Sequence, residues 1–338
     1  MVLRAVALPA RPDSRDVLTR DSPSGDALNA ASTRRPLLSV VVVAYDMARE
    51  VPRTLRSLAP GYQRGIVADD YEVILVDNGS PDPIDPAVIE AFPGRLRSVR
   101  IDPAPPTPAR AANVGIELAE SDFVGLLIDG ARLASPGLLA SALLAGKLAA
   151  RPIVATRGWH IGPTRHMDAQ AAGYDQRVED QLLTELNWEP DGYRLFSVAT
   201  LAASSARGWF GPMGESNGLF MPEAMWQELG GLDERFALPG GGLSNHDLYR
   251  RACELDDVQL VVLLGEGTFH QIHGGAATSG RVGWDEMHDE YVALRGRAYQ
   301  PPKNERLYLG TVPDVALEHV EHAAQRAIQL RNPKPAAE

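Results

Sequence analysis

A single cysteine, Cys253, excludes any disulfide within the 338 residues and suits a reducing compartment. Long apolar runs are missing too. The longest, LLSVVVVAY (37–45) and LVVLLG (260–265), fall far short of the roughly 20 residues a membrane-spanning helix needs, and they read as buried strands. Excess positive charge is lacking: 33 Lys and Arg stand against 44 Asp and Glu, a net charge of -11 and a pI near 5.3. Nucleic-acid binding needs a basic stripe to displace counterions, so this balance argues against it. The N-terminal stretch mixes arginine with acids and proline and has no apolar signal-peptide core, so the expected location is cytoplasmic.

What is present is ordinary for a soluble globular protein, 44% hydrophobic and 23% charged, with length enough for one large domain or two modest ones. Residues 1–36 are rich in Arg, Asp, Ser and Pro without hydrophobic period, and read as a mobile leader. From residue 37 the pattern sharpens. LLSVVVVAY is a β-branched run suited to a strand buried on both faces. Residues 49–60 have helical spacing through Val51, Leu55 and Leu58. Strands follow at 70–77 and 95–102, a helix at 109–120, and a strand at 122–129. SPGLLASALLAGKLAA reads as a helix with Ser135 as N-cap and Pro136 at its first position.

The second half is less regular. Residues 156–215 show few clean periods and read as long loops around a site. Helices are expected at 221–231, stopped by Gly230 and Gly231, and at 243–257. A strand at 258–270 runs into a histidine turn, and a tail helix at 312–332 offers a face to the domain or to a second copy. Strands and helices alternating at this spacing predict an open α/β sheet.

Such a sheet binds its ligand beyond the carboxyl ends of its strands. Asp46, Asp77 and Asp129 all fall at or just past such ends. Carboxylates gathered there without partners are costly, so this edge implies a cation or hydrogen-bond donors.

The stretches SVVVVAYDMAREVPRTLRSL, YEVILVDNGSPD and ARAANVGIELAESDFVGLLIDGARLASPG resemble the N-terminal half of family 2 glycosyltransferases of the GT-A fold. The later SNGLFMPEAMWQELGGLDERFALPGGGLSNHDLYRRA resembles their acceptor-side segment. Four motifs in register, over roughly residues 37 to 275, make the resemblance specific. It implies that Asp77 pairs with the nucleotide base, usually uracil. Ala44, Tyr45 and Asp46 would wrap base and ribose, and Arg110 and Asn113 would face the nucleotide. Asp129 matches the first acid of the family's Asp-x-Asp, which holds Mn²⁺ or Mg²⁺ against the diphosphate.

Two departures stand out. Gly130 and Ala131 follow Asp129, so the second metal acid is missing. His270 and His273 offer imidazole ligands in its place, and Arg132 offers a direct counter-charge to phosphate. The alignment also puts Asn245 where the family has its catalytic base, and an amide cannot accept the acceptor's proton. That leaves Asp247 or Glu215 as base, with His246 a weaker option and Trp209 a contact for the acceptor.

The resemblance therefore implies a mixed, mostly parallel sheet flanked by helices, with a nucleotide-binding half at 37–135 and an acceptor half at 136–275. A helical extension would follow at 276–338. The implied activity is an inverting, metal-dependent transfer of sugar from a UDP-linked donor to a hydroxyl acceptor in glycan or polysaccharide biosynthesis. A catalytically silent nucleotide-sugar-binding partner of an active transferase is the competing reading. A nucleotidyltransferase would want a Gly-rich, Lys-containing loop after the first strand, which AYDMAREVPR lacks. Peripheral membrane association and a homodimer are both compatible with the sequence.

Overall fold

The computed structural model describes residues 18–19, 34–274 and 282–331; the expected leader lies largely outside these. The strands are β1 (Leu18–Thr19), β2 (Leu38–Ala44), β3 (Tyr71–Asp77), β4 (Arg95–Ile101), β5 (Phe123–Leu127), β6 (Arg132–Ala134), β7 (Pro152–Ile161), β8 (Ala199–Leu201), β9 (Leu219–Pro222), β10 (Gln259–His270) and β11 (Arg306–Gly310). The helices are α1 (Val51–Leu58), α2 (Pro86–Glu90), α3 (Ala109–Glu117), α4 (Leu138–Ala145), α5 (His166–Ala171), α6 (Gln176–Leu186), α7 (Glu223–Leu229), α8 (Ser244–Cys253), α9 (Trp284–Arg295) and α10 (Leu317–Arg331).

All these strands join one sheet in the order β1-β4-β3-β2-β5-β9-β7-β10-β11, with β6 on β10 and β8 on β7. β4, β3, β2 and β5 run parallel, as do β7, β10 and β11; β9 lies antiparallel between the two groups. The alternation of side chains along β2 and β3 sorts the core into two layers. Val41, Val43, Ile74 and Val76 pack with α3, α7 and α8. Val40, Val42, Val73 and Leu75 pack with α1 and α4. Both faces are covered, which is why these strands are unbroken apolar runs.

Two expectations are corrected. Residues 156–215 are not simply long loops, since they contain the end of β7, then α5, α6 and β8. β7 hides its period because it is buried on both faces and carries Arg157 and His160 within an apolar run. α6 hides its own because it is largely polar, burying only Glu179 and Leu183 fully. Second, Ser135 does not cap α4, which begins at Leu138 after Gly137. Its hydroxyl instead donates to Glu266 and accepts from the Gly267 amide at 3.0 Å, tying the start of α4 to β10.

Glu266 lies in a bulge. From Val262 to Gly267, β10 advances five residues while β7 advances only two, from Ala155 to Arg157. The helix stop at Gly230 is as expected, with that residue in the left-handed region at φ 67°.

Candidate active site

β2, β3 and β5 all end at one edge of the sheet, and the ends of β7 and β10 meet them there. Around this edge lies a cavity of ≈ 1390 Å³. Tyr45, Asp46, Asn78, Ile128 and Asp129 line it from the first half of the chain; Glu215, Asn217, Asn245, His246, His270 and His273 line it from the second.

On one wall, Asp129 follows β5 directly. Its Oδ2 lies 2.7 Å from His270 Nε2 and 3.5 Å from His273 Nε2, and the two imidazole nitrogens are 3.0 Å apart. Its Oδ1 accepts the Ala131 amide at 2.9 Å. Burial opposes the charge on Asp129, but the two histidines outweigh it and hold the carboxyl well below its usual range. Burial pushes His270 down to about 4 despite Asp129, whereas for His273 the attraction of Asp129 wins over burial and the imidazole is raised. One carboxylate and two imidazoles converging within 4.8 Å form a donor set that fits a divalent cation.

Behind this cluster, strand register builds a cross-strand row. Arg132 of β6 faces His270 of β10, and His270 faces His160 of β7. His160 Nδ1 accepts the His166 amide at 3.0 Å, and the two rings stack at 4.2 Å. Burial, reinforced by the neighbouring positive groups, depresses both histidines, His166 to about 3. At neutral pH both are uncharged.

The lining also carries Glu215. Asn245 Nδ2 donates to its Oε2 at 2.6 Å, and His246 Nδ1 lies 3.4 Å from the same oxygen. Burial raises the Glu215 carboxyl, but His246, the Asn245 hydrogen bond, Arg132 and Ser204 together bring it below the ordinary value. It is therefore ionised, and held by an amide rather than neutralised by a guanidinium in contact. Asn245 supplies that donor from the first turn of α8.

Other expected residues lie elsewhere. Asp77 is buried and closes its own loop: Oδ1 accepts the Ser80 amide at 2.8 Å and its hydroxyl at 2.6 Å, and Oδ2 accepts from Arg100 at 2.5 Å. Its neighbours Asn78 and Gly79 reach the cavity instead. Ala44 is fully buried beneath that edge, and Arg110 is half-buried on α3, away from the lining. Asn113 clamps the Gly-Gly-Leu turn, accepting from Leu232 N at 2.8 Å and donating to Leu232 O at 3.0 Å. Trp209 is not at the surface of the cavity. Its indole is 1% exposed, donates to Leu263 O at 3.1 Å and packs on Trp159 and Phe196.

Asp247 is also withdrawn. Arg251 Nε reaches its Oδ2 at 2.8 Å, and Arg295 covers both oxygens at 2.5 and 2.6 Å. A carboxylate held by two guanidinium groups and absent from the lining is not placed to take a proton from a ligand.

Trp284 was not anticipated at all. It opens α9 at the cavity wall, half exposed, with the His246 ring 6.0 Å away. Only its position among polar residues distinguishes it in the sequence from a core tryptophan.

Residues 39–130 match the family model described as Glycosyl transferase family 2. No curated protein matches the chain. Among solved structures, S. aureus TarS 1-349 is similar over 86% of this chain and 80% of that one, at 12% identity and a TM-score of 0.50. TarS 1-349 in complex with UDP is similar over 86% of this chain at 13% identity, TM-score 0.44, and this chain spans 65% of its length. The mannosyltransferase PcManGT from Pyrobaculum calidifontis, in complex with GDP-Man and Mn²⁺, is similar over 89% of this chain and 77% of that one, at 14% identity and TM-score 0.43. The first of these likenesses establishes the architecture, a mixed sheet flanked by helices as in the GT-A fold.

Proposed function

We propose, from the match of residues 39–130 to the glycosyl transferase family 2 model, that the chain belongs to that family and transfers a sugar from a nucleoside-diphosphate donor to a hydroxyl acceptor, with Glu215 as the general base. One observation carries this reading. Asp129 with its histidines and Glu215 with Asn245 line one cavity, so that a group for the donor phosphates and a group for the acceptor hydroxyl share a single pocket.

Tyr45, Asp46, Asn78 and Gly79 form the end of the cavity assigned to the nucleoside. Asp46 is exposed there, with its amide held by Ser80 Oγ at 2.9 Å, so its carboxylate is free to accept from a ribose hydroxyl. Asp129, His270 and His273 would hold a divalent cation, Mn²⁺ better suited than Mg²⁺ to imidazole, which offsets the charge of the departing diphosphate. Glu215 takes the proton of the acceptor hydroxyl as its oxygen bonds the anomeric carbon and the bond to the phosphate oxygen breaks. The single displacement inverts that carbon. Uridine is the expected nucleoside, in line with the family's use of it, and a glycan the expected acceptor. Trp284 and His246 line the way in for that acceptor, an aromatic face suited to a sugar ring.

Among the described residues no helix is long and apolar enough to cross a membrane.

The test is a thermal-shift series with UDP, GDP, TDP and CDP, with and without Mn²⁺, followed by sugar-nucleotide turnover by the wild type and Glu215→Gln. A nucleotide-dependent rise in Tm is expected, since a ligand of the native state stabilises it by mass action. Glu215→Gln should keep that shift and lose roughly 100- to 10,000-fold in kcat. Absence of any shift defeats the reading. Binding without turnover in the wild type makes the chain a silent nucleotide-sugar-binding partner instead.

A further inference from the structure

Arg132 is a charged group of the cavity that the mechanism above does not use. It is 6% exposed, yet its Nε and Nη1 have no hydrogen-bond acceptor among the described residues. The nearest carboxylate oxygen, Asp129 Oδ2, is 4.0 Å from Nη2, beyond hydrogen-bond reach, and is already engaged by His270. Burial depresses the guanidinium, opposed by the charges of Asp129 and Glu215.

Unpartnered nitrogens alone do not make a site. Arg157, equally buried, also leaves Nε and Nη1 bare. Arg157, however, donates Nη2 to Trp209 O and Gly211 O within the core, and does not line the cavity. Arg132 does line it, within reach of the charges of both Asp129 and Glu215. Its guanidinium packs beside Gly158 of β7. Gly158 stands where an added Cβ would come within 3.1 Å of Asn217 Nδ2 and 3.7 Å of Arg132 Nη1. The backbone around it is fixed as well, because β6 is pinned to β10 at Arg132↔His270 and the Ala134 amide donates to Ser57 Oγ at 2.8 Å. This is a buried guanidinium, two of its nitrogens unpartnered among the described residues, held on a fixed backbone at the lining of a ligand cavity.

We propose that Arg132 binds the diphosphate of the donor directly. Its guanidinium takes over part of the charge neutralisation that the acid missing at Ala131 would have supplied through a cation. The inference rests on the nucleotide-sugar reading above. A guanidinium suits the task because its planar fork matches two oxygens of a phosphate at once, which the point charge of a lysine does not. Diphosphate binding should then persist when divalent cations are removed.

Isothermal titration of the full chain in EDTA tests this, with inorganic pyrophosphate, UDP, GDP, UDP-glucuronate and uridine as probes. Wild type should bind pyrophosphate and at least one nucleoside diphosphate without added metal. Arg132→Gln should weaken both by roughly 10- to 100-fold, the range for loss of a hydrogen bond to a charged group, and leave uridine unchanged. Arg132→Lys keeps the buried charge and should still lose part of the affinity; it serves if the glutamine variant fails to fold. Equal binding of UDP by wild type and both variants overturns the proposal. So does a loss confined to UDP-glucuronate with UDP unaffected, which would assign the guanidinium to a carboxylate on the sugar. Pyrophosphate binding that depends on Arg132, with no nucleotide bound under any condition, would sustain the anion site and defeat the nucleotide-sugar reading.

Discussion

Asp247 and Glu215 are both acids of the acceptor-side segment, and their neighbours separate them. Asp247 is 1% exposed and held by Arg251 and Arg295; Glu215 meets an amide and an imidazole at the cavity. Removing one partner of a buried ion pair leaves the other charge uncompensated, typically at a cost of 3–5 kcal/mol. Asp247→Asn should therefore lower the unfolding free energy measured by urea denaturation by about 3 kcal/mol, and the protein that remains folded should retain nucleotide binding. A loss of turnover with unchanged stability would return Asp247 to the mechanism. From sequence the two acids were indistinguishable. Arg251, four residues on, was visible as a helix partner, but Arg295 comes from α9, which tertiary packing alone brings across. Asp129 and Asp77 both stand at strand ends in the sequence, but only the fold shows Asp129 at the cavity beside two histidines and Asp77 engaged by Ser80 and Arg100.

At the scale of elements, α6 is clasped to α1 by charge. Arg49 reaches Glu50, Glu179 and Asp180, and Arg53 joins it at Asp180. Glu179 also accepts the Ile272 amide at 2.8 Å, which ties the clasp to the histidine turn after β10. Burial raises the Glu179 carboxyl to about 7, and the Ile272 amide and Arg49 only partly offset this. A carboxyl raised on folding binds its proton more tightly in the native state, so it stabilises the fold at low pH. That contribution is whole below about 4.5 and is lost as pH rises through about 7. Its full span is on the order of 3 kcal/mol. Thermal unfolding of wild type and Glu179→Gln at pH 5.5 and 8 should show a smaller decline with pH in the variant. Identical pH dependence would show that Glu179 stays ionised in the fold. None of this was readable beforehand, because α6 presents mostly polar residues and its one buried acid looks like a surface charge. β2 and β3 were readable, since an apolar β-branched run has few alternatives to a central strand.

Taken whole, the cavity is lined by residues from Val43 to Pro301, so both halves of the chain must be folded for it to exist. The family match ends at residue 130, and the motifs that made the nucleotide half legible thin out beyond it. The acceptor half depends on contacts between distant segments, as with Trp284 beside His246. That tryptophan offers a direct probe. The sequence has five tryptophans, and Trp159, Trp188, Trp209 and Trp226 are 0%, 3%, 1% and 1% exposed, against 52% for Trp284. Acrylamide should quench essentially one component of the emission, absent in Trp284→Phe, and a saccharide acceptor seated in the cavity should protect it. Quenching that survives in the variant would mean that a second tryptophan opens to solvent.

The bulge in β10 acts on the pleat as a frameshift acts on a message. Side chains of a strand alternate, so a plain count from Val262 would put His270 on the side of that valine and Phe269 on the other. The odd surplus of residues between Val262 and Gly267 reverses the count, and Phe269 joins the layer of Val262 while His270 turns to Asp129. Regular strand through Leu263–Glu266, with no residue lost, would restore the naive frame. It would drive an imidazole into the apolar layer and present a phenyl ring to the cavity, although every residue the site uses would still be encoded.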